Sequence, residues 1–295
     1  YVRSGDDFLV LRAPQPEEGV GVVEFPRTVR PADLVRASDG SIVARIPENA
    51  SSLSLSADGA RLAYVSQPSP FGEDLWRAEL FVLEMGSGQA QRVGPPGRGA
   101  LQCRFAPAGG SLAFLARVGR AGYTSRAGLF LSDPPFDRER ELSADSRHSV
   151  ADILGWSADG RLIFALKPAG VLTQIVAFDA ATGACQLLRE GTILHASPAA
   201  GRVPVWIEAA ASALPEVRIE GRPPVPQRPA ESCRQRMVRW PDASGRMLDG
   251  LLVEPPRAPR PWPTVLLVHG GPASPVYDAL TRVDHLQPLA AAGYA

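Results

Sequence analysis

One phrase recurs three times in the first 165 residues, and it restricts the fold more than any other feature of the sequence. Each copy has a turn containing glycine, followed by a short run of apolar residues that begins with Leu. The copies occupy 56–65, 105–115 and 156–165, and a degraded copy follows at 197–206. A spacing of about 50 residues is typical of solenoids and propellers. The sequence therefore encodes a repeated structural unit.

Each repeat has the pattern of two β-hairpins. The Asp58-Gly59 pair supplies positive φ angles for a tight turn, and the apolar residues after it form a strand. A second hairpin follows within the repeat, as at 80–93 and 174–188, where a glycine turn separates two strand-like runs. Two hairpins give a four-stranded antiparallel blade, the unit of a β-propeller. No useful helical period occurs before about residue 275, which disfavours helical repeats.

The blades are expected over residues 1–222. Strand-like runs at 8–11 and 38–44 predict the remnant of a blade that precedes the first clear repeat, so we expect four to five blades. Such a propeller is incomplete at its amino-terminal side and has exposed edges. The proline-dense run that follows predicts an extended linker at 223–231.

Beyond the linker the repeat stops, and residues 232–295 predict the start of a second domain. Residues 237–240 and 247–253 form a hairpin around a polar turn. The unbroken apolar run 264–268 suits a strand buried on both faces, which needs parallel neighbours and covering helices. Apolar residues at helical spacing follow over 280–292, and Gly293 stands where a helix C-cap belongs.

The apolar strand ends in His269-Gly270-Gly271-Pro272, and the helix ends in Gly293-Tyr294-Ala295. This order of elements resembles the hydrolase domain of the acylaminoacyl-peptidase branch of the prolyl oligopeptidase family. The resemblance is close over about 60 residues. Over the propeller it is looser, and the repeats there resemble those of the TolB and prolyl oligopeptidase type. The fold it implies is mainly β, a partial β-propeller of four-stranded blades followed by the N-terminal part of an α/β-hydrolase domain.

The resemblance implies a serine-type peptidase that hydrolyses short peptides or acyl-peptides, with the propeller limiting substrate access. Acyl transfer passes through an oxyanion that needs preorganised N–H donors. By resemblance, Gly271 supplies one such backbone donor, Gly270 shapes the turn, and His269 orients the loop. The family implies neither a metal nor an organic cofactor. A cytoplasmic protein is expected, because the three isolated cysteines suit a reducing compartment, and a homo-oligomer is allowed.

The nucleophile, acid and base are not expected in this chain. No Gly-x-Ser-x-Gly elbow occurs, and the nearest match, 109–113, falls inside a repeat and makes Ser111 a strand residue. We therefore expect the chain to be truncated before the catalytic serine and inactive alone. Four residues resemble a local triad, but the last two are neighbours on one predicted helix and point about 100° apart: Ser274, Asp278, Asp284 and His285.

The other candidate side chains have simpler interpretations. His148 and His195 stand singly in propeller stretches, and Glu17-Glu18 is expected to be a solvated loop pair rather than an anchor for a substrate amine. The three cysteines are far apart without C-x-x-C spacing, so neither a metal clip nor a redox pair is indicated.

Composition excludes several classes of partner. The chain has 31 basic and 31 acidic residues, so no nucleic-acid surface or polybasic membrane patch is expected. No apolar run approaches the roughly 20 residues that span a bilayer. Two alternatives to a peptidase stay open: an esterase of the same architecture, and a non-enzymatic propeller that binds a partner. The apolar run 264–268 disfavours the second alternative, because a strand of this type needs parallel neighbours and helices to cover it.

Overall fold

The computed structural model describes 2–4, 7–12, 31–47, 49–69, 71–120, 122, 124–146, 148–199, 202–210, 213–223, 233–268, 276–279 and 286–295. Three four-stranded antiparallel sheets follow one another along the chain, each with its strands in sequence order. The first, blade 1, contains β1 (Val2–Ser4), β2 (Asp7–Arg12), β3 (Pro31–Arg36) and β4 (Ile42–Pro47). Blade 2 contains β5 (Ala50–Leu55), β6 (Arg61–Ser66), β7 (Glu79–Glu84) and β8 (Gln89–Val93). Blade 3 contains β9 (Ala100–Phe105), β10 (Leu112–Arg117), β11 (Ala127–Ser132) and β12 (Arg140–Glu141). A short 3₁₀ helix, Gly72–Arg77, lies between β6 and β7.

The fourth sheet has six strands because one long strand belongs to two blades. Its strands are β13 (Asp152–Trp156), β14 (Leu162–Ala169), β15 (Leu172–Asp179), β16 (Cys185–Ala199), β17 (Arg202–Ala210) and β18 (Ala213–Ile219). The first part of β16, up to Gly191, pairs with β15 and completes blade 4. The second part, from Thr192, pairs with β17 and begins a three-stranded blade 5. The mainly β fold expected from the sequence, a partial propeller of four-stranded blades, is confirmed.

The repeated turn is built from one aspartate and one glycine. In blade 2, Asp58 Oδ1 accepts hydrogen bonds from Ser56 Oγ (2.6 Å) and from the Ala60 N–H (3.0 Å). Gly59 has a φ of 71°, the left-handed conformation that glycine adopts without steric cost. Asp159 and Gly160 repeat this arrangement in blade 4, where Gly160 also has a φ of 71°. The positive φ falls on the glycine alone rather than on the whole Asp-Gly pair.

The core consists of layers between successive blades. The second strand of a blade is apolar on both faces because a neighbouring blade covers each face. In β10, residues Leu112–Ala116 are all buried; Leu112, Phe114 and Ala116 belong to the cluster with blade 2, and Ala113 and Leu115 to the cluster with blade 4. A smaller cluster that includes Leu166 and Trp206 joins blades 4 and 5. This two-sided burial explains why the repeats carry near-continuous apolar runs.

The first strands of successive blades lie side by side, and side chains join them. The Phe105 N–H of blade 3 donates to Ser54 Oγ of blade 2 at 2.9 Å. Gln102 joins blade 3 to blade 4: its Oε1 accepts from the Ile153 N–H at 2.6 Å, and its Nε2 donates to Asp152 Oδ1 at 2.7 Å. The bonds from Phe105 and Ile153 satisfy backbone N–H groups at the edges of their sheets.

A separate hairpin follows the propeller sheets. It pairs β19 (Arg234–Pro241) with β20 (Met247–Glu254), as the sequence predicted for 237–253. A helix, α1 (Leu286–Ala291), lies near the end of the chain and packs Leu286 and Ala290 against Cys233 and Val253. The segment 224–232, which contains most of the predicted linker, lies outside the described residues, so the domain boundaries stay a prediction. Within the described residues, no helix has the length and apolar character needed to cross a bilayer.

Candidate active-site region

The apolar segment 264–268 has a parallel neighbour. The Ala295 N–H donates to the carbonyl of Pro263 at 2.9 Å, and the Val265 N–H donates to the carbonyl of Ala295 at 2.8 Å. Bonds from one residue to the two residues that flank its partner are the pattern of a parallel bridge, here between Thr264 and Ala295. Residues at the two ends of a segment that contains α1 therefore pair in parallel, as in a βαβ unit.

Helix α1 ends as the sequence predicted. Gly293 has a φ of 99°, its N–H donates to Ala290 O at 3.0 Å, and the Tyr294 N–H donates to Leu289 O at 3.1 Å. These two bonds form a Schellman motif, which satisfies carbonyl groups in the last turn of the helix. The chain then continues to Ala295, the residue that pairs with Thr264. Near the start of α1, Gln287 Oε1 accepts a hydrogen bond from the Cys233 N–H at 2.6 Å. This bond joins the helix to the residue that precedes β19.

The expectation that 264–268 is buried on both faces is not met in this chain. Leu266 is 80% exposed and Val268 is 85% exposed. Among the described residues, the segment makes one backbone hydrogen bond with another part of the chain, from the Val265 N–H to the Ala295 carbonyl. The strand predicted for 264–268 is not formed: the segment has one bridge at one edge, and both of its faces are uncovered.

The three residues of the predicted oxyanion loop, His269, Gly270 and Gly271, lie outside the described residues. The described chain reaches Val268 before the loop and resumes at Val276 after it. In open α/β sheets, ligands bind beyond the carboxyl ends of the parallel strands. The loop directly follows the carboxyl end of 264–268, which is a suitable place for an oxyanion loop. Its role stays a prediction.

The local group Ser274, Asp278, Asp284 and His285 is described only at Asp278. The Asp278 N–H donates to Val171 O at 2.9 Å, and the Asp278 carbonyl accepts from Thr192 Oγ1 at 2.8 Å. Its carboxylate Oδ1 accepts from Gln235 Nε2 at 2.8 Å. Asp278 therefore joins blade 4 to β19, an arrangement that sequence reasoning missed. No local pattern signals it, because Thr192 and Asp278 are 86 residues apart.

The remaining candidates occupy ordinary structural positions. Ser111 directly precedes β10 rather than lying within the strand, and its Oγ donates to Asp133 Oδ1 at 2.5 Å. His195 lies on β16, 63% exposed, with Nδ1 3.8 Å from Asp152 Oδ2. His148 is exposed, and its backbone bonds to Ser146. Glu17-Glu18 lies outside the described residues.

Three arginine side chains lie close to the carboxylate of Glu254, the last residue of β20. Arg236 Nε donates to Glu254 Oε1 at 2.8 Å, and Arg234 and Arg260 lie 3.9 and 3.7 Å from its oxygens. The hydrogen bond from Arg236 is the main cause that lowers the pKa of Glu254 below its usual value. A carboxylate held ionised by three arginines serves as a fixed acceptor for the hairpin rather than as a general acid.

The cysteines and the other ligating side chains offer no metal site in the described part of the chain. Cys103, Cys185 and Cys233 are all free thiols; Cys103 and Cys233 are buried and Cys185 is exposed. Burial raises the pKa of Cys103 to about 12, so it is an inert core residue. No three His, Cys, Asp or Glu side chains among the described residues are grouped as metal ligands.

No protein-family model and no curated protein sequence matches the chain. Solved structures do match. A dipeptidyl aminopeptidase IV-like protein from Bacteroides ovatus has a TM-score of 0.62 at 12% identity, with 98% of this chain and 47% of that protein covered. A puromycin-hydrolysing peptidase from Mycobacterium tuberculosis has a TM-score of 0.61 at 19% identity, with coverages of 85% and 45%. For a prolyl endopeptidase the TM-score is 0.54 at 17% identity, with coverages of 89% and 39%.

The chain spans less than half the length of each of these three proteins. At identities this low the likeness concerns architecture, and function must be inferred from the site. The likeness shows that the chain has part of the fold of these three proteins.

Proposed function

We propose that the chain is the front part of a serine peptidase of the prolyl oligopeptidase type. Residues 1–222 form a partial propeller, 223–231 a linker, and 232–295 the start of the catalytic α/β-hydrolase domain. The full-length enzyme hydrolyses short peptides or acyl-peptides by acyl transfer. The nucleophile, acid and base come from sequence beyond this chain, so the chain alone is inactive.

The parallel bridge between Thr264 and Ala295 is the observation that carries this proposal. A parallel pair joined through a helix is the unit of an α/β sheet, which a non-enzymatic propeller would not require. In α/β-hydrolases the loop after such a strand supplies an oxyanion donor, and Gly270-Gly271 stands at that point in the chain. The likeness in fold to structures that are named as peptidases supports the same proposal.

The propeller would act as a filter for substrates. Its sheets are joined into one stack by apolar layers and by inter-blade hydrogen bonds, so it presents a rigid wall rather than a flexible lid. A wall of this kind beside an active site admits short, extended peptides and excludes folded proteins. The three free thiols agree with a reducing compartment, and we propose a cytoplasmic location.

The test uses the full-length protein and a fluorophosphonate probe for activated serines. We expect one serine in a Gly-x-Ser-x-Gly elbow downstream of Ala295 to be labelled, and its replacement by alanine to abolish labelling. Turnover of an acyl-peptide and of a matched ester then separates a peptidase from an esterase. If the full-length protein is well folded but neither reacts with the probe nor cleaves either substrate, the peptidase proposal is wrong. The alternative, a propeller that binds a partner, then replaces it.

A pair of substitutions tests the oxyanion donor itself. Gly271→Pro removes the N–H that is proposed to stabilise the oxyanion, whereas Gly271→Ala keeps it. Loss of one donor lowers kcat by about 100-fold to 1,000-fold. We expect that loss for Gly271→Pro and a much smaller loss for Gly271→Ala, with thermal unfolding used to show that both variants fold. Equal kcat values for the two variants would remove Gly271 from the oxyanion hole.

A further inference from the structure

The arginines around Glu254 carry more positive charge than that one carboxylate can neutralise. Arg234 and Arg236 lie on the same face of β19, two positions apart, and Arg234 stands directly opposite Glu254 in the hairpin. Arg260 reaches the same carboxylate from the chain that follows β20. The shortest distances from Arg234, Arg236 and Arg260 to its oxygens are 3.9, 2.8 and 3.7 Å. Three positive charges and one negative charge leave a surplus of two positive charges.

This surplus sets the group apart from the other ion pairs. In the part of the chain that the structure describes, no other carboxylate is in ion-pair contact with more than two arginines, and the carboxylate with two is that of Asp33. A phosphate group carries a charge of about −1.5 to −2 near neutral pH. The uncompensated charge around Glu254 therefore matches that of one phosphate dianion.

The donors lie on the solvent side of the carboxylate. The side chain of Glu254 is 11% exposed, whereas those of Arg234 and Arg260 are 76% and 69% exposed. Arg236 Nε donates a hydrogen bond to Glu254. Arg234 and Arg260 lie beyond hydrogen-bonding distance of it, so Glu254 does not use their N–H groups. An anion that approaches from water meets these two guanidinium groups before it meets the carboxylate.

Arg260 is also held in place by an aromatic ring. Its Cζ lies 4.3 Å from the centroid of the Trp262 ring, which places the guanidinium over the ring face. The ring is itself fixed, because Trp262 Nε1 donates to Ala258 O at 2.9 Å. A guanidinium that is already stacked loses less conformational freedom when it binds a ligand. The arrangement is therefore preorganised on the side of Arg260.

We propose that Arg234, Arg236 and Arg260 form a binding site for a phosphate group. The ligand is inorganic phosphate or the terminal phosphate of a small ester. Guanidinium groups suit this ligand because their planar forks donate two parallel hydrogen bonds to its oxygens. Glu254 is a positioning residue, which holds Arg236 from beneath. The proposal does not depend on the peptidase activity proposed above.

Calorimetric titration of the full-length protein with inorganic phosphate at constant ionic strength tests the site. We expect saturable binding, with a Kd that rises by about tenfold or more in Arg234→Gln and in Arg260→Gln. Arg246→Gln is the matched control, because Arg246 is 77% exposed on the same hairpin but has its own partner, Asp242 Oδ2 at 3.2 Å. The control should keep the Kd within about twofold. Equal Kd values in Arg260→Gln and Arg246→Gln, or no binding at all, would overturn the proposal.

Two further titrations test the chemistry and the location. Acetate, which carries a single charge, should bind at least about tenfold more weakly than phosphate, and equal affinity for the two anions would contradict the match of charge. Phosphate should also change the fluorescence of Trp262, and this change should be absent in Trp262→Phe. A change that persists in that variant would place the anion elsewhere. Comparison with glycerol phosphate identifies the source, because tighter binding of the ester indicates an esterified ligand and tighter binding of phosphate the free anion.

Discussion

The junction between blades 3 and 4 gives the sharpest prediction about stability. In Gln102→Met, a side chain of similar length and volume replaces one whose Oε1 and Nε2 bond to Ile153 and Asp152 at 2.6 and 2.7 Å. Ile153 is 1% exposed, so its N–H loses its acceptor in a place that water does not reach. An unpaired buried donor costs about 1–3 kcal/mol, and a net hydrogen bond to a partly exposed carboxylate adds about 1 kcal/mol. The expected loss in free energy of unfolding is about 2–4 kcal/mol.

Urea denaturation, followed by intrinsic fluorescence and far-UV circular dichroism, measures this loss as a lower midpoint at an unchanged m-value. Gln174→Met is the matched control, because Gln174 Nε2 also makes a short bond to a carboxylate, Glu190 Oε2 at 2.6 Å, but at an exposed site. Exposed pairs contribute little, so the control should lose less than about 0.5 kcal/mol. If Gln102→Met loses no more than Gln174→Met, the inter-blade bonds do not hold the blades together.

Three further predictions concern the turns and the thiols. Gly160→Ala should cost about 1 kcal/mol, because the site has a φ of 71° but open space for a Cβ, whereas Gly72→Ala, also open but without a positive φ, should change little in the same denaturation assay. The hydrogen bond from Ser157 is the main cause that lowers the pKa of Asp159, so its ionised form stabilises the fold above the unfolded pKa of about 4. That stabilisation is lost as pH falls through the lowered native value, and Asp159→Asn should flatten the dependence of Tm on pH below about pH 4. A disulfide reagent at pH 8 should modify exposed Cys185 first, with the fast phase absent in Cys185→Ser and with Cys103 protected until unfolding.

The parts of the fold that sequence could predict depend on contacts between near neighbours. The turn at Asp58 is held by bonds to residues two positions away, and its glycine takes the one conformation that other residues avoid. The cap at Gly293 likewise depends on residues within five positions. These contacts depend only on the local sequence, so the hairpins and the end of α1 were predictable.

The parts that sequence could not predict depend on distant partners. Gln102 bonds to a strand 51 residues away, and nothing in the pattern of β9 distinguishes this glutamine from a solvated one. Strand β16 pairs with β15 up to Gly191 and with β17 from Thr192, so one strand belongs to two blades, which the local pattern does not show. The strand predicted from the apolar residues at 264–268 is not formed, because a strand of that kind needs neighbours and cover from residues elsewhere in the chain.

The candidate site divides in the same physical way. The glycines of the proposed oxyanion loop can be found from their own sequence, because backbone approach requires that residue type. The contacts of Asp278 cannot, because the residues to which its backbone bonds, Val171 and Thr192, precede it by more than 80 positions.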